Sequence, residues 1–199
     1  KKVTLTRWRK VIADRLSASW TEIPHHAQSI DIDVTELSDY ISETQNDASL
    51  PRLTYMPFIM KAIQAGINVT PEINAHCYGD HYIIRHDLNI GIAVDANGKL
   101  IVPVVRQVQN KSIADLAREL KSLVARARED KLEPRDVQDA TLTISNVGPL
   151  GLYSGFSIIV PPQTTIICVG AVREVPAVID GSIEIRKKMF VTNSYDHRA

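Results

Sequence analysis

Several things that would direct the reading of this chain are scarce or missing. It has no surplus of charge: Lys plus Arg and Asp plus Glu number 23 each among 199 residues, for a formal net charge of zero. Holding a nucleic acid backbone or an anionic bilayer takes an excess of cations, so neither partner is expected. There are only two cysteines, Cys77 and Cys168, both within apolar strand-like sequence and in no metal-ligand spacing. They read as reduced core thiols of an intracellular protein, not as a disulfide framework. No apolar run approaches the roughly 20 residues of a membrane helix, because Pro161 and Pro162 interrupt the best one. His76, His81 and His86 lie close in sequence, but no acidic or cysteine ligand completes a recognised spacing, and no metal site is expected. Gly148, Gly151 and Gly155 mark a loop that lacks the GxGxxG and P-loop spacings, so it does not argue for a nucleotide fold.

What is present is enough for a conventional core, since a chain this long removes roughly 70% of its unfolded surface from water. Positions 6–20 carry Trp8, Val11, Ile12, Leu16 and Trp20 at helical spacing, with Thr4 or Thr6 as cap and a solvated basic face of Arg7, Arg9, Lys10 and Arg15. Positions 28–34 alternate as a strand, with Ile30, Ile32 and Val34 on one side; Thr35 then caps a helix with Leu37, Tyr40 and Ile41 inward. A third helix spans 53–69, started by Thr54 and Pro57, its buried stripe being Phe58, Ile59, Ala62, Ile63 and Ile67. Gly79-Asp80 joins a hairpin of 73–78 and 82–85, and Asn97-Gly98 joins 88–95 to 99–105, expected as central strands. Ser112 and Asp115 open a long helix as a capping box, with Leu116, Leu120, Leu123, Val124 and Ala127 inward. Strands follow at 141–146, 163–172, 175–179, 182–186 and 189–195. Helices on one side of a mixed, mostly antiparallel sheet make an α+β two-layer sandwich.

Four segments in order, Met56-Pro-Phe-Ile-Met-Lys61, Leu88-Asn-Ile-Gly91-Ile-Ala-Val-Asp95, Thr141-Leu-Thr-Ile-Ser145-Asn146-Val-Gly148 and Tyr195-Asp196-His197-Arg198, resemble the catalytic domain of the dihydrolipoamide acyltransferases. These are the core components of the 2-oxo acid dehydrogenase complexes. The resemblance covers nearly the whole chain and implies a chloramphenicol-acetyltransferase-like fold, a homotrimer that assembles into a larger core, and acyl transfer from dihydrolipoamide to coenzyme A. It assigns His197 as general base, Ser145 as oxyanion donor and Asn146 as its support. It further implies that Thr54, Asp95, Ser145, Asn146 and Gly170 contact coenzyme A, that His197 and Ser145 meet across a subunit boundary, and that the region of Gly91 lines the coenzyme's pantetheine arm. The lipoamide would be carried on a lipoyl domain not found in this sequence. The E1 decarboxylase and E3 dehydrogenase would be recruited through domains also not found here, in the cytoplasm or, in a eukaryote, the mitochondrial matrix.

An imidazole titrates nearest neutrality, which suits it to take a proton from a thiol and return it. His197 follows Ser145 by 52 positions, close to the separation the resemblance leads one to expect. Three departures qualify the expectation. The family's arginine for coenzyme phosphate is missing, since positions 34–47 contain no Lys or Arg; Arg52 and Lys61 are the alternatives. The family's aspartate four residues after the histidine would lie beyond Ala199, so the chain is expected to be a C-terminally incomplete catalytic domain; a scaffold without activity is the competing reading. Chloramphenicol acetylation is a third reading, disfavoured because Asp196 stands where that enzyme has a second histidine.

Overall fold

The structure is a computed structural model and describes residues 2–96 and 98–199. In chain order the elements are α1 (Arg7–Glu22), β1 (His25–Asp33), α2 (Thr35–Thr44), α3 (Tyr55–Val69), β2 (Ala75–Cys77), β3 (Tyr82–Ile84), β4 (Ile90–Ala96), β5 (Lys99–Ile101), β6 (Val104–Val105), α4 (Ile113–Arg128), β7 (Leu142–Asn146), β8 (Thr165–Ile179) and β9 (Ser182–Asp196). One sheet runs β1-β9-β8-β7-β4-β5, with β6 folded back onto β4, and β2 and β3 form a separate hairpin. Among the described residues, only the β4–β7 and β7–β8 pairs are parallel. The fold is therefore the expected α+β sandwich.

Alternation decides which face each strand buries. Ile90, Ile92, Leu142, Ile144, Ile167 and Val169 point to one face, where they pack on Met56 and Met60 of α3 and Leu116, Leu120 and Leu123 of α4. The α4 helix starts where its sequence says it should: Ser112 and Asp115 exchange both capping-box hydrogen bonds, and Arg126 and Arg128 sit in the last turn, where cations complement the helix dipole. On the other face, the Ser19 hydroxyl donates to the Ile159 carbonyl at 2.6 Å. The His25 Nε2 accepts from the Ile159 N–H at 3.1 Å, which places the ring proton on Nδ1, 2.9 Å from the Ile23 carbonyl. These bonds pin the 156–160 segment across the sheet, over a small cluster of Ile23, Ile159 and Ile166.

Several expectations are corrected. The apolar stripe of α1 is not buried: Trp8 is 58% and Trp20 57% exposed, and Ser19 is the helix's one buried residue. Periodicity reports a face but not what covers it. The first strand begins earlier, at His25, and because β1 is an edge strand its Ile30 and Ile32 are exposed while Val34 reaches the core. Thr35 is the first residue of α2 and not its cap; its hydroxyl donates to Asp33 and accepts from the Lys187 N–H. In α3, Met56 and Met60 are buried deepest, Phe58, Ile59, Ile63 and Ile67 are partly buried, and Ala62 is exposed.

The 99–105 segment is two short edge pieces, β5 and β6, broken at Val102-Pro103; Asn97 lies outside the described residues. The four final strand segments merge into one long hairpin, β8–β9, turning at Asp180 and Gly181, both with positive φ. Pro176 is tolerated there because this part of β8 pairs with β9 alone. Cys168 is buried as expected, and burial pushes its thiol pKa up; Cys77 is only half-buried.

Candidate active site

Ser145 and Asn146 close β7, and the pleat sends them to opposite faces. Ile144 is in the core beneath the helices, so Asn146 shares that face and Ser145 turns away from it, in register with Ala93 of β4 and Cys168 of β8. The Asn146 Oδ1 accepts from the Gly148 N–H at 3.0 Å, fixing the loop that leaves the strand and leaving the side-chain NH2 as the group free to donate. Asn146, Gly148 and Gly170 line a cavity of about 290 Å³, walled by Tyr55, Met56 and Ile59 of α3. Gly170 has no room for a side chain: a Cβ there would stand 1.8 Å from the Tyr153 carbonyl oxygen, because the 148–155 loop crosses directly over β8.

Thr54 and Asp95 approach this end from two sides. Thr54 is exposed at the start of α3, makes no side-chain cap bond, and lines a second cavity that adjoins the first at Tyr55. Asp95 lies two residues past Ala93 on β4, exposed, with Oδ1 accepting from the Gly98 N–H at 2.9 Å. One carboxylate oxygen is thus engaged in the turn. Gly91 is closely approached, as its residue type suggests, but by protein: a Cβ would meet the Val102 side chain at 2.8 Å. Nor is Lys61 available to a phosphate, since its ammonium donates to Gln64 and to the Val108 carbonyl.

His197 is at the far end of the sheet. β9 runs antiparallel to β7 and β8, so it delivers His197 to the end where β7 begins. Ser145 faces Cys168, Cys168 faces Thr192, and His197 is five positions beyond Thr192. At about 3.3 Å per residue and 4.8 Å between strands, roughly 19 Å separate the two within one chain. The structure does not bring them together in a single copy.

The His197 turn is nevertheless tightly held. Its N–H donates to the Pro24 carbonyl at 3.1 Å, and its ring lies 5.3 Å from that of His26 and 5.9 Å from that of Tyr195. Among the described residues the exposed His197 ring makes no hydrogen bond. Asp196, its side chain fully buried, accepts from the Arg198 backbone N–H, from Nε at 2.9 Å and from Nη2 at 2.7 Å. Burial by itself would raise the Asp196 pKa, but the Arg198 bonds and charge, with the Cys77 thiol, outweigh it and hold the carboxyl below its usual range. Asp196 thus locks the turn and does not address a substrate. Sequence reasoning missed His26, and no local signal marks it: its place comes from register, since it faces Tyr195 on the neighbouring strand and so shares a face with the residue two before His197.

Comparison with known proteins bears on what these groups form. The family model described as 2-oxoacid dehydrogenases acyltransferase (catalytic domain) matches residues 1–199. The chain belongs to this family. Among curated members of the acyltransferase family, the acetyltransferase component of the Zymomonas mobilis pyruvate dehydrogenase complex is 34% identical over 98% of this chain and 45% of its own length. The lipoamide acyltransferase of the Bacillus subtilis branched-chain complex is 33% identical over 100% and 48%. The succinyltransferase of the Rickettsia typhi 2-oxoglutarate dehydrogenase complex is 35% identical over 100% and 50%. The chain spans about half the length of the curated relatives it matches.

Among solved structures, a probable dihydrolipoamide acetyltransferase from Listeria monocytogenes superposes with a TM-score of 0.92 at 33% identity, covering 100% of this chain and 86% of that one. The Azotobacter vinelandii dihydrolipoamide acetyltransferase superposes at 0.91 with 32% identity, over 100% and 83%. That work concerned the roles of a serine, a histidine and an asparagine in its catalytic mechanism, the histidine 52 positions after the serine. Chloramphenicol acetyltransferase shares the fold, at a TM-score of 0.54 and 9% identity over 92% of this chain and 85% of that one.

Proposed function

We propose that this domain transfers an acyl group from a dihydrolipoyl thioester to coenzyme A, as part of the oligomeric core of a 2-oxo acid dehydrogenase complex. The observation that carries the reading is the disposition of the two reactive groups. An unbonded imidazole on a locked turn stands at one end of the strands, and a Ser-Asn pair stands at the other, with the 52-position spacing of the Azotobacter serine and histidine. Because roughly 19 Å parts them within a chain, each complete site takes His197 from one copy and Ser145 from another. The exposed Trp8, Leu16 and Trp20 of α1, and Val178, Ile183 and Ile185 on the β8–β9 hairpin, are the kind of apolar surface that such an assembly covers. A trimer is the smallest ring that uses one histidine and one serine from every copy without involving a two-fold axis.

In this site the thiol of coenzyme A, with an unperturbed pKa of about 8.5, loses its proton to His197 as it attacks the thioester carbonyl. A base so placed contributes about 10²- to 10⁴-fold. Ser145 donates to the carbonyl oxygen as negative charge gathers there, worth about 10²- to 10³-fold. His197 then returns the proton to the departing dihydrolipoyl sulfur. Asn146, through its free NH2, and Gly170, through the close chain crossing it permits, shape the coenzyme's path; Thr54 and the second oxygen of Asp95 flank it. Coenzyme A and lipoamide are both substrates in this scheme. The decarboxylase and dehydrogenase partners are engaged by segments that the longer relatives carry outside this span. Relatives with three acyl specificities match at 33–35% identity, so the acyl group forms no part of the proposal. The reading is tested by acyl transfer from acetyl-, succinyl- and isobutyryl-dihydrolipoamide to coenzyme A, with and without His197→Ala. Turnover of at least one donor that drops about 10²-fold or more in the variant is expected; no turnover of any donor by intact oligomers would favour a scaffold.

A further inference from the structure

The general base has no hydrogen bond to aim it. Among the described residues the exposed His197 ring is unbonded, and Asp196, the nearest carboxylate in sequence, is taken by Arg198. What the ring does have is two other rings. The His197 N–H donates to the Pro24 carbonyl, which carries the β1–β9 register one pair past His25 and Asp196. In that register His26 stands directly opposite Tyr195 and diagonally opposite His197, a separation that aromatic side chains of neighbouring strands still span. His25 is no substitute, because it is bonded to Ile159 and to the Ile23 carbonyl on the other face. The three rings close a triangle. Tyr195 lies nearly parallel to His197, with centroids 5.9 Å apart and planes 29° apart; His26 meets His197 at 5.3 Å and 78°; and His26 and Tyr195 are 5.3 Å apart. Stacked and edge-on are the two arrangements that aromatic pairs prefer.

We propose that His26 is a positioning residue for the acyl transfer: with Tyr195 it forms a seat that holds the His197 imidazole in a single orientation toward the thiol it deprotonates in the shared site. The inference rests on the acyl-transfer reading above. A histidine side chain has two rotatable bonds, and one without a hydrogen bond is fixed only by what packs against it. The Asp196–Arg198 bonds fix the backbone of the turn but leave the ring beyond it free to rotate. Tyr195 covers one face of that ring, and His26 closes the approach at a near right angle, so the two together block rotation about both bonds. The precision matters, because a catalytic group must stand within about 0.5 Å of its working place and a misplacement of about 1 Å costs about 10²-fold in rate. Two imidazoles side by side are also the arrangement of two bases. The seat differs from that in needing only the flat ring of His26 and not its nitrogens.

The test compares His26→Ala, His26→Leu and His26→Phe in steady-state transfer from the donor that the wild type uses fastest, with coenzyme A varied, and repeats His26→Ala in the His197→Ala background. Circular dichroism melts and solution masses accompany every variant. His26 is exposed on an edge strand, so both should match the wild type. His26→Ala and His26→Leu should lower kcat about 10-fold, part of the about 10²-fold of a full 1 Å displacement, with the KM for coenzyme A unchanged, because a loosened base is felt in the transition state and not by the bound coenzyme. His26→Phe keeps a flat ring and should run close to the wild type. On top of His197→Ala, loss of His26 should cost nothing more, since it acts through that ring. A His26→Ala chain with the wild-type kcat would overturn the seat and leave acyl transfer standing. So would a His26→Phe chain as slow as His26→Ala, or a further loss in the His197→Ala background, either of which would show the His26 nitrogens at work. A wild-type oligomer that turns over no donor would remove the acyl-transfer reading and the seat with it.

Discussion

If each active site is shared between copies, two inactive variants should restore one another. The His197→Ala chain keeps Ser145, and the Ser145→Ala chain keeps His197. Within one chain the two groups are roughly 19 Å apart at opposite ends of the sheet, too far for any side-chain motion to join them. In rings assembled at random from equal amounts of the two variants, a site is complete when the serine-bearing neighbour is one variant and the histidine-bearing neighbour the other. That holds for about one site in four, so the mixture should recover about a quarter of the wild-type rate. Each parent alone should run about 10²-fold or more below the wild type, which places the hybrid at least about 25-fold above either. The assay is initial-rate acyl transfer to coenzyme A by co-expressed or co-refolded variants, with solution mass confirming that hybrids have formed. Hybrids of the right mass that are no faster than the average of their parents would refute the shared site.

Two further outcomes follow from the locked turn and the core. The Asp196 carboxyl is held below its usual range, so the folded state binds fewer protons than the unfolded chain as acid is added; the stabilisation is complete above the unfolded value of about 3.9 and is lost as pH falls through the depressed folded one. Asp196→Asn should flatten that acid dependence, destabilise by about 2 kcal/mol because Arg198 is 39% exposed and the pair is only partly desolvated, and lower kcat more than it raises KM; an acid-denaturation profile and kinetics matching the wild type would contradict the assigned role. Met60 is completely buried between α3 and the sheet, so Met60→Ala should cost about 2 to 5 kcal/mol in urea unfolding. A loss below about 1 kcal/mol would mean that the core closes over the gap.

The sequence by itself determined the parts whose causes are local. Ser112 and Asp115 made the start of α4 readable, because a capping box is built from residues three apart. Asp180-Gly181 made a turn readable, and a run of branched apolar residues before Asn97-Gly98 made β4 readable as a central strand. The segments carrying Ser145 and His197 were also legible, as motifs. Tertiary structure decided everything that depends on what lies opposite. The α1 stripe and the Ile30–Ile32 face have buried-looking patterns yet are exposed, and the 99–105 segment divides into an exposed edge piece at Leu100 and a buried one at Val104 and Val105, because a period fixes which side chains share a face and not whether another element covers it. Register across three strands set Ser145 and His197 at opposite ends of the sheet. The packing of α3 against α4 gathered Arg52, Lys121 and Tyr55, which are up to 69 positions apart in the chain, around the cavity that Thr54 lines. Distances of that kind are fixed by strand order and helix packing, for which a linear sequence contains no local signal.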